Sequence, residues 1–335
     1  MQGSKSEIAS KAPSSSQSDN DLAARAAWLH FVGGMTQAEI AKRLNVPNTR
    51  AHRYIARAQN EGLVRIFVDV EETACVQLET ELMQRFGLGF CRVAMEIPEP
   101  GPLPLKTLSA VGADYLMQIA AGRQHSVIGI GNGRTLAASV NAMGRQASPE
   151  VRFVSVLGGL TRSFAANPYD VIHRIAQKTS ADAFLMPAPL YANSAEDKTV
   201  MMQQFGIAAT MDLIAEATLF IVGIGDIGTS RGGISDSSLN GPTTAEDLRN
   251  SGAVAEVLGQ FLDADGQMVA SPYDDRVMAP ALNSLRDREM VAIAGGTIKV
   301  PAIRAALLSG LLTGLITDEG TARALTGTPG EPSGV

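Results

Sequence analysis

The sequence predicts a two-part protein: an N-terminal winged helix-turn-helix joined to a Rossmann-like α/β domain with a largely parallel sheet. Three observations carry this. Residues 22–66 hold seven basic and two acidic residues, a net of +5, whereas the rest of the chain holds 21 basic and 32 acidic, a net of −11. The basic segment contains two short amphipathic helix patterns separated by a tight turn. From about Val111 onward, short apolar runs that suit buried strands alternate with helical patterns, which is the signature of a parallel sheet covered by helices.

The chain is long enough for a sizeable core and an accessory module, with 335 residues, 45% of them hydrophobic and 19% charged. The first twenty residues are rich in serine and poor in apolar side chains, which predicts a disordered tail over 1–20. They do not form a signal peptide. No apolar run is long enough to span a bilayer; the stretch from Ala305 to Ile316 is too short and is broken by glycines. Cys75 and Cys91 lack metal-ligand partners at a useful spacing and are read as free thiols of a cytoplasmic protein. No metal or cofactor is expected, and no membrane.

The basic module is assigned to 21–70. Thr36 is a good N-cap, and Glu39 three residues on completes a capping box. Ile40, Ala41 and Leu44 form one apolar face, Asn45 suits a left-handed turn, and Asn48 is positioned to cap a second helix. On that helix Ala51, Tyr54, Ile55 and Ala58 face inward, leaving Thr49, Arg50, His52, Arg53 and Arg57 outward. A recognition helix needs polar groups near its N-terminus for base edges and cations beside them for phosphates. Thr49, Arg50 and Arg53 are the expected groove contacts; Lys42, Arg43 and Arg57 are the expected backbone contacts, with Thr36, Gln37, Asn48 and His52 beside them. A solvated charged helix is the plain alternative. "GLVRIFVDV" reads as the wing, and His30 as a structural residue.

Residues 71–110 are read as a connecting helix, "CVQLETELMQRFGL", and a linker, since "MEIPEPGPLPLK" carries four prolines. The α/β domain is assigned to 111–330. Its strand candidates are "SVIGIG", "VRFVSVLGG", "DAFLMPAP", "ATLFIVGIG" and "MVAIAGG". Ligands bind such sheets at the carboxyl ends of the strands.

Two glycine-rich loops compete there. "GIGDIG" at 223–228 matches a dinucleotide fingerprint by letter, but a polar segment rather than a helix follows it. It is read as a glycine-lined strand end bordering a pocket. "VIGIGNGRTLA" at 127–137 has the better context, with strand, loop and helix in order. Gly131, Asn132 and Gly133 let backbone approach an anion, and the helix start at Arg134 and Thr135 supplies amides, positive polarity and a hydroxyl. No Gly-Lys-Ser/Thr is present, so a P-loop is excluded; a single phosphate or sugar-phosphate site and a merely structural turn remain. Gly295 and Gly296 end another strand, and Lys299 just beyond them is a candidate phosphate ligand. Asp318 and Glu319 lie in a further strand-to-helix turn, as hydroxyl acceptors or as a helix cap.

From about Leu22 to Leu325 the chain resembles the SorC family of sugar-responsive bacterial transcription regulators. The resemblance rests on the helix-turn-helix ending "AQNEGLVRI", on "GIGNGRTLA", "VLGGL", "MPAP", "VGIGDIG" and "GAVAEVLGQFLDADG", and above all on "AGGTIKVPAIRAALLSGLLTGLITDEGTA". Within the family, "RAAWLHFVGGMTQ" and "LGGLTRSFAANP" look most like regulators of polyol catabolism, erythritol especially. The resemblance implies an effector domain of the sugar-phosphate isomerase/deaminase type and a homo-oligomer, dimer or tetramer. It implies operator DNA as partner and a phosphorylated sugar or polyol as effector. It places Gly131, Gly133, Thr135 and Lys299 around the effector's phosphate, and Asn167 and Glu256 near its sugar portion. Asn132 stands where many members carry an aromatic residue, and Ala255 where glycine is frequent. The alternative is a sugar-phosphate isomerase or deaminase with an accessory DNA-binding module. His125 and His173 have no catalytic setting in the sequence, so no catalytic residue is assigned, although a base such as Asp318 stays open.

Overall fold

The computed structural model describes residues 15–61, 63–64, 73–159, 171–227 and 245–327. The chain divides into two compact units, residues 1–69 and 70–335.

In the first unit, α1 (Ser15–Ala27) runs into a π-helical turn at Trp28–Val32, followed by α2 (Gln37–Leu44) and α3 (Asn48–Asn60). The helices close on a core of small residues. Ala23, Ala26, Ala51 and Ala58 are fully buried, and Ile40, Tyr54 and Leu29 fill the space between them. The capping box at Thr36 and Glu39 forms, and Asn45 takes the left-handed conformation at φ 53° that turns the chain between α2 and α3.

Two expectations are corrected here. The tail read as reaching Asn20 is helical from Ser15, because Leu22, Ala23 and Ala26 give α1 an apolar face that packs on α3. Asn48 is not the cap of α3: Pro47 occupies that position without a side-chain cap, and Asn48 begins the helix. Pro suits a helix start because the amide it lacks has no intrahelical partner there. Of the expected wing, 62–70, all but Leu63 and Val64 lies outside the described residues.

The second unit opens with α4 (Thr73–Phe86), β1 (Phe90–Ala94) and α5 (Leu105–Ala121). Then come β2 (Val127–Ile130), α6 (Arg134–Ala142), β3 (Arg152–Ser155), α7 (Ile172–Thr179), β4 (Asp182–Phe184), α8 (Ala195–Met202), α9 (Phe205–Glu216) and β5 (Leu219–Val222). A short excursion holds β6 (Gly225–Asp226), α10 (Ala245–Asn250), β7 (Ala255–Val257) and β8 (Gln260–Leu262). The unit closes with β9 (Glu289–Ile293), α11 (Val300–Leu308), β10 (Gly314–Asp318) and α12 (Glu319–Thr326).

Seven strands form one parallel sheet in the order β1-β10-β9-β5-β2-β3-β4. β2 and β5 are buried along their whole length, which is why they read as unbroken apolar runs. One face of the sheet packs Ile128, Ile130, Phe153, Leu219 and Ile221 against Leu116, Leu136 and Ile172 of α5, α6 and α7. The other packs Val154, Phe220, Val222 and Leu315 with Leu82 of α4, Ile214 of α9 and Ile303 of α11.

The segment 71–110 is therefore not a connection. Leu78 and Leu82 of α4 are buried in the core, Arg85 donates to the Thr326 carbonyl at 2.8 Å, and β1 pairs with β10 over five residues. The proline-rich stretch carries Glu99, whose carboxylate accepts the amides of Lys106 and Thr107 at 2.9 Å and so caps the start of α5. The α/β unit thus includes α4, β1 and the first turns of α5, all of them before Val111.

β6, β7 and β8 form a separate antiparallel sheet. Leu258 and Gly259 make its hairpin turn with φ of 51° and 79°, the paired positive values that a two-residue hairpin needs.

Candidate effector and DNA-reading sites

β2 and β5 are neighbours, yet the chain leaves β2 toward β3 on one side, while beyond β5 lies β9 on the other. Loops leaving adjacent strands in opposite directions open a crevice at the carboxyl edge. One wall is the loop Gly131–Gly133 and the other is Gly223–Ile227. They abut: a Cβ on Gly223 would sit 3.3 Å from the Asn132 carbonyl oxygen. The "GIGDIG" stretch thus lines this crevice as far as Ile227; Gly228 lies outside the described residues.

Gly133, at φ 141°, caps α6, and its carbonyl accepts the Ala137 amide at 2.9 Å. The first-turn amides of a helix point out of its N-terminus, and Thr135 lies in the first turn of α6. Gly131 acts differently from expectation. Its amide donates to the Ile221 carbonyl at 2.8 Å and extends the ladder, so it is not a free anion donor.

Lys299 is buried at the start of α11, and its ammonium donates to the Ile224 carbonyl at 2.6 Å. Burial, with the charge of Arg134 adding to it, lowers its pKa to about 8, while Glu256 and Asp226 pull the other way. These four residues therefore share one electrostatic neighbourhood. Glu256, delivered by the small sheet, is half-buried. Burial pushes its pKa up, against the opposing pull of the Gly259 amide and of Lys299. The arrangement can take an anion at the Arg134, Lys299 and α6 pole, and hydroxyl groups at the carboxylates. Asp226, buried in β6, was missed by sequence reasoning; the one available signal was an acid set between glycines at a strand end.

Asp318 and Gly295 do other work. Asp318 caps α12: Oδ1 accepts the Thr321 amide at 2.9 Å, and Oδ2 accepts the Gly296 amide at 2.9 Å and the Thr321 hydroxyl at 2.7 Å. Of the two roles left open for it, the structure shows the cap. A Cβ on Gly295 would lie 2.1 Å from Asp318 Oδ2, so glycine there is required by that carboxylate. Asn167 lies outside the described residues.

On the first unit, Gln37, Lys42, Arg43, Asn48, Thr49, Arg50, His52 and Arg53 are exposed. Thr49, His52 and Arg53 make no side-chain hydrogen bond or ion pair among the described residues, and they line the outer face of α3. Two expected contacts are committed within the unit. The Thr36 hydroxyl is bonded to Glu39 at 2.7 Å. Arg57 donates to Asn20 at 2.6 Å and to Glu61 at 2.7 Å, and stands 3.9 Å from Asp19. Arg50 is exposed but partly engaged, 3.7 Å from Asp19 and over the Tyr54 ring, with 46% of its side chain exposed.

Residues 70–326 match a family model described as a sugar-binding domain, and residues 33–65 match one for winged helix-turn-helix DNA binding. The chain is 47% identical over 311 residues to the erythritol catabolism regulatory protein EryD of Brucella abortus, covering 93% of this chain and 98% of that one. The full-length sorbitol operon regulator SorC of Klebsiella pneumoniae shares the fold, with a TM-score of 0.68 at 24% identity over 92% of this chain and 99% of that one.

The chain belongs to the SorC family of sugar-binding transcriptional regulators.

Another relative of this SorC-family chain is the transcriptional regulator LsrR of Klebsiella pneumoniae subsp. pneumoniae, 32% identical over 92% of this chain and 93% of its own. The helix-turn-helix makes DNA a partner, and the sugar-binding domain makes a sugar-class molecule the other. Among the described residues no helix is long and apolar enough to cross a membrane.

Proposed function

We propose that the protein is a homo-oligomeric, cytoplasmic regulator of polyol catabolism whose operator affinity is set by a phosphorylated polyol. Erythritol phosphate is the leading candidate, because the EryD relative is named for erythritol catabolism. The observation that carries the reading is Lys299, a buried ammonium at the switch-point crevice within the field of Arg134. A buried cation invites an anionic ligand. Gly133, Thr135 and the α6 amides would complete the phosphate end, with Glu256 and Asn132 toward the hydroxyls. On DNA, Thr49, Arg50 and Arg53 would read the groove, and Lys42 and Arg43 would hold the backbone. An effector that prefers one arrangement of the oligomer changes the fraction able to span two half-sites.

The reading includes no catalysis, and the engagement of Asp318 as a cap supports that. The test is thermal shift and calorimetry against erythritol, its phosphates, and phosphorylated pentoses and hexoses, followed by operator titration with each binder. A phosphorylated tetritol should bind tightest and change operator affinity. Equal binding of free erythritol would remove the phosphate from the proposal, and turnover of any sugar phosphate would overturn the non-enzymatic reading.

A further inference from the structure

A cavity of about 470 Å³ opens at the amino ends of the strands, on the edge opposite the switch-point crevice. Phe90 begins β1, Glu289 begins β9 and Thr313 precedes β10; Gln118 and Gly122 bring the last turn of α5. Strands of five residues separate the two edges by about 15 Å. Nothing assigned to the effector reaches this side.

Its chemistry is one-sided. Phe90 and Tyr115 stack, with centroids 4.9 Å apart and an interplanar angle of 28°, and present an aromatic wall. Among the described residues Glu289 is the one carboxylate in the lining, and 63% of its side chain is exposed. Among the described residues no lysine or arginine lines the cavity. His125 is held by Thr218, Nδ1 to Oγ1 at 2.9 Å, and its Nε2 lies 3.9 Å from Glu289. The carboxyl-terminal end of the 17-residue helix α5 adds the negative pole of its dipole. Burial, and then the charge of Glu289, pushes the Tyr115 hydroxyl up to about 12, so it stays a neutral donor.

We propose that this cavity is a second ligand site, selective for a small organic cation such as a primary amine or quaternary ammonium. Glu289 supplies the counter-charge, the Phe90–Tyr115 wall supplies a cation–π and apolar surface, and the end of α5 faces the same charge. The volume suits a small molecule rather than a single ion. The site would give the protein an input separate from its anionic effector.

The test uses the full chain with choline, cadaverine and 3,3-dimethylbutan-1-ol, the neutral carbon analogue of choline, read by calorimetry and thermal shift. Choline or cadaverine should bind saturably, and the neutral analogue at least about tenfold more weakly. Glu289→Gln, at an exposed side chain, should weaken the amines by a similar factor while operator binding is kept. Lys299→Met should leave amine binding intact, which separates this site from the effector proposal. Absence of amine binding at millimolar concentration, equal binding of the neutral analogue, or full binding by Glu289→Gln would each overturn the assignment.

Discussion

The Lys299 ammonium is hydrogen-bonded to the carbonyl oxygen of Ile224, 75 residues away in sequence, on the Gly223–Ile227 wall of the switch-point crevice. One bond thus joins the start of α11 to the loop after β5. An ammonium has three donors, and the one hydrogen bond it makes among the described residues, to Ile224, aims the side chain.

With Lys299 at the proposed phosphate site, effector binding should depend on pH. The pKa of Lys299 in the empty protein is about 8, and an anion beside it raises that value. Affinity is then complete below pH 8 and falls, by up to about tenfold per pH unit, as pH rises above 8 toward the pKa in the complex. Calorimetry between pH 7 and 9.5 should show this slope, and Lys299→Met should bind weakly with none. A flat wild-type profile would remove Lys299 from the phosphate site.

Arg53→Ala should cost about 1–3 kcal/mol of operator affinity while effector binding is unchanged, since the exposed side chain has no partner on α3 among the described residues. Fluorescence anisotropy on operator DNA measures it. Undiminished affinity would take Arg53 out of the groove.

Arg57→Ala should behave differently. The guanidinium is spent on Asn20 and Glu61, so its loss should lower the stability of the first unit by about 1 kcal/mol. The salt dependence of DNA binding should stay nearly constant, whereas Lys42→Ala should reduce the log–log slope by about 1. A reduced slope for Arg57→Ala would return it to the phosphate backbone.

Asp318→Ala removes a helix cap and an acceptor for the Gly296 amide, and should destabilise the second unit by about 2 kcal/mol in urea unfolding. Asp318→Asn keeps one oxygen and should cost less. A stability unchanged in both variants would contradict the capping role.

The sequence made the strands of the central sheet legible because full burial writes them as apolar runs, as in β2 and β5. It also made the turn of the helix-turn-helix legible, since Asn45 and the Thr36–Glu39 box are local signals. β1 was lost because "FCRVA" is a short edge strand between an amphipathic helix and a proline-rich stretch. The small sheet was lost because three-residue strands are too short to show a period. At the crevice, Lys299 could be picked out from its position after a glycine pair, but the commitment of the Gly131 amide to Ile221 is a tertiary fact with no local mark. The same is true of Arg57, whose partner Asn20 sits 37 residues back.

That partnership has a practical corollary. The DNA-reading motif matches from residue 33, yet Asp19 and Asn20 on α1 hold Tyr54, Arg50 and Arg57 of the recognition helix. The functional border of the module therefore lies more than ten residues upstream of the motif that identifies it. A protein trimmed to the motif would keep every side chain proposed for the groove and lose the brace that holds their helix.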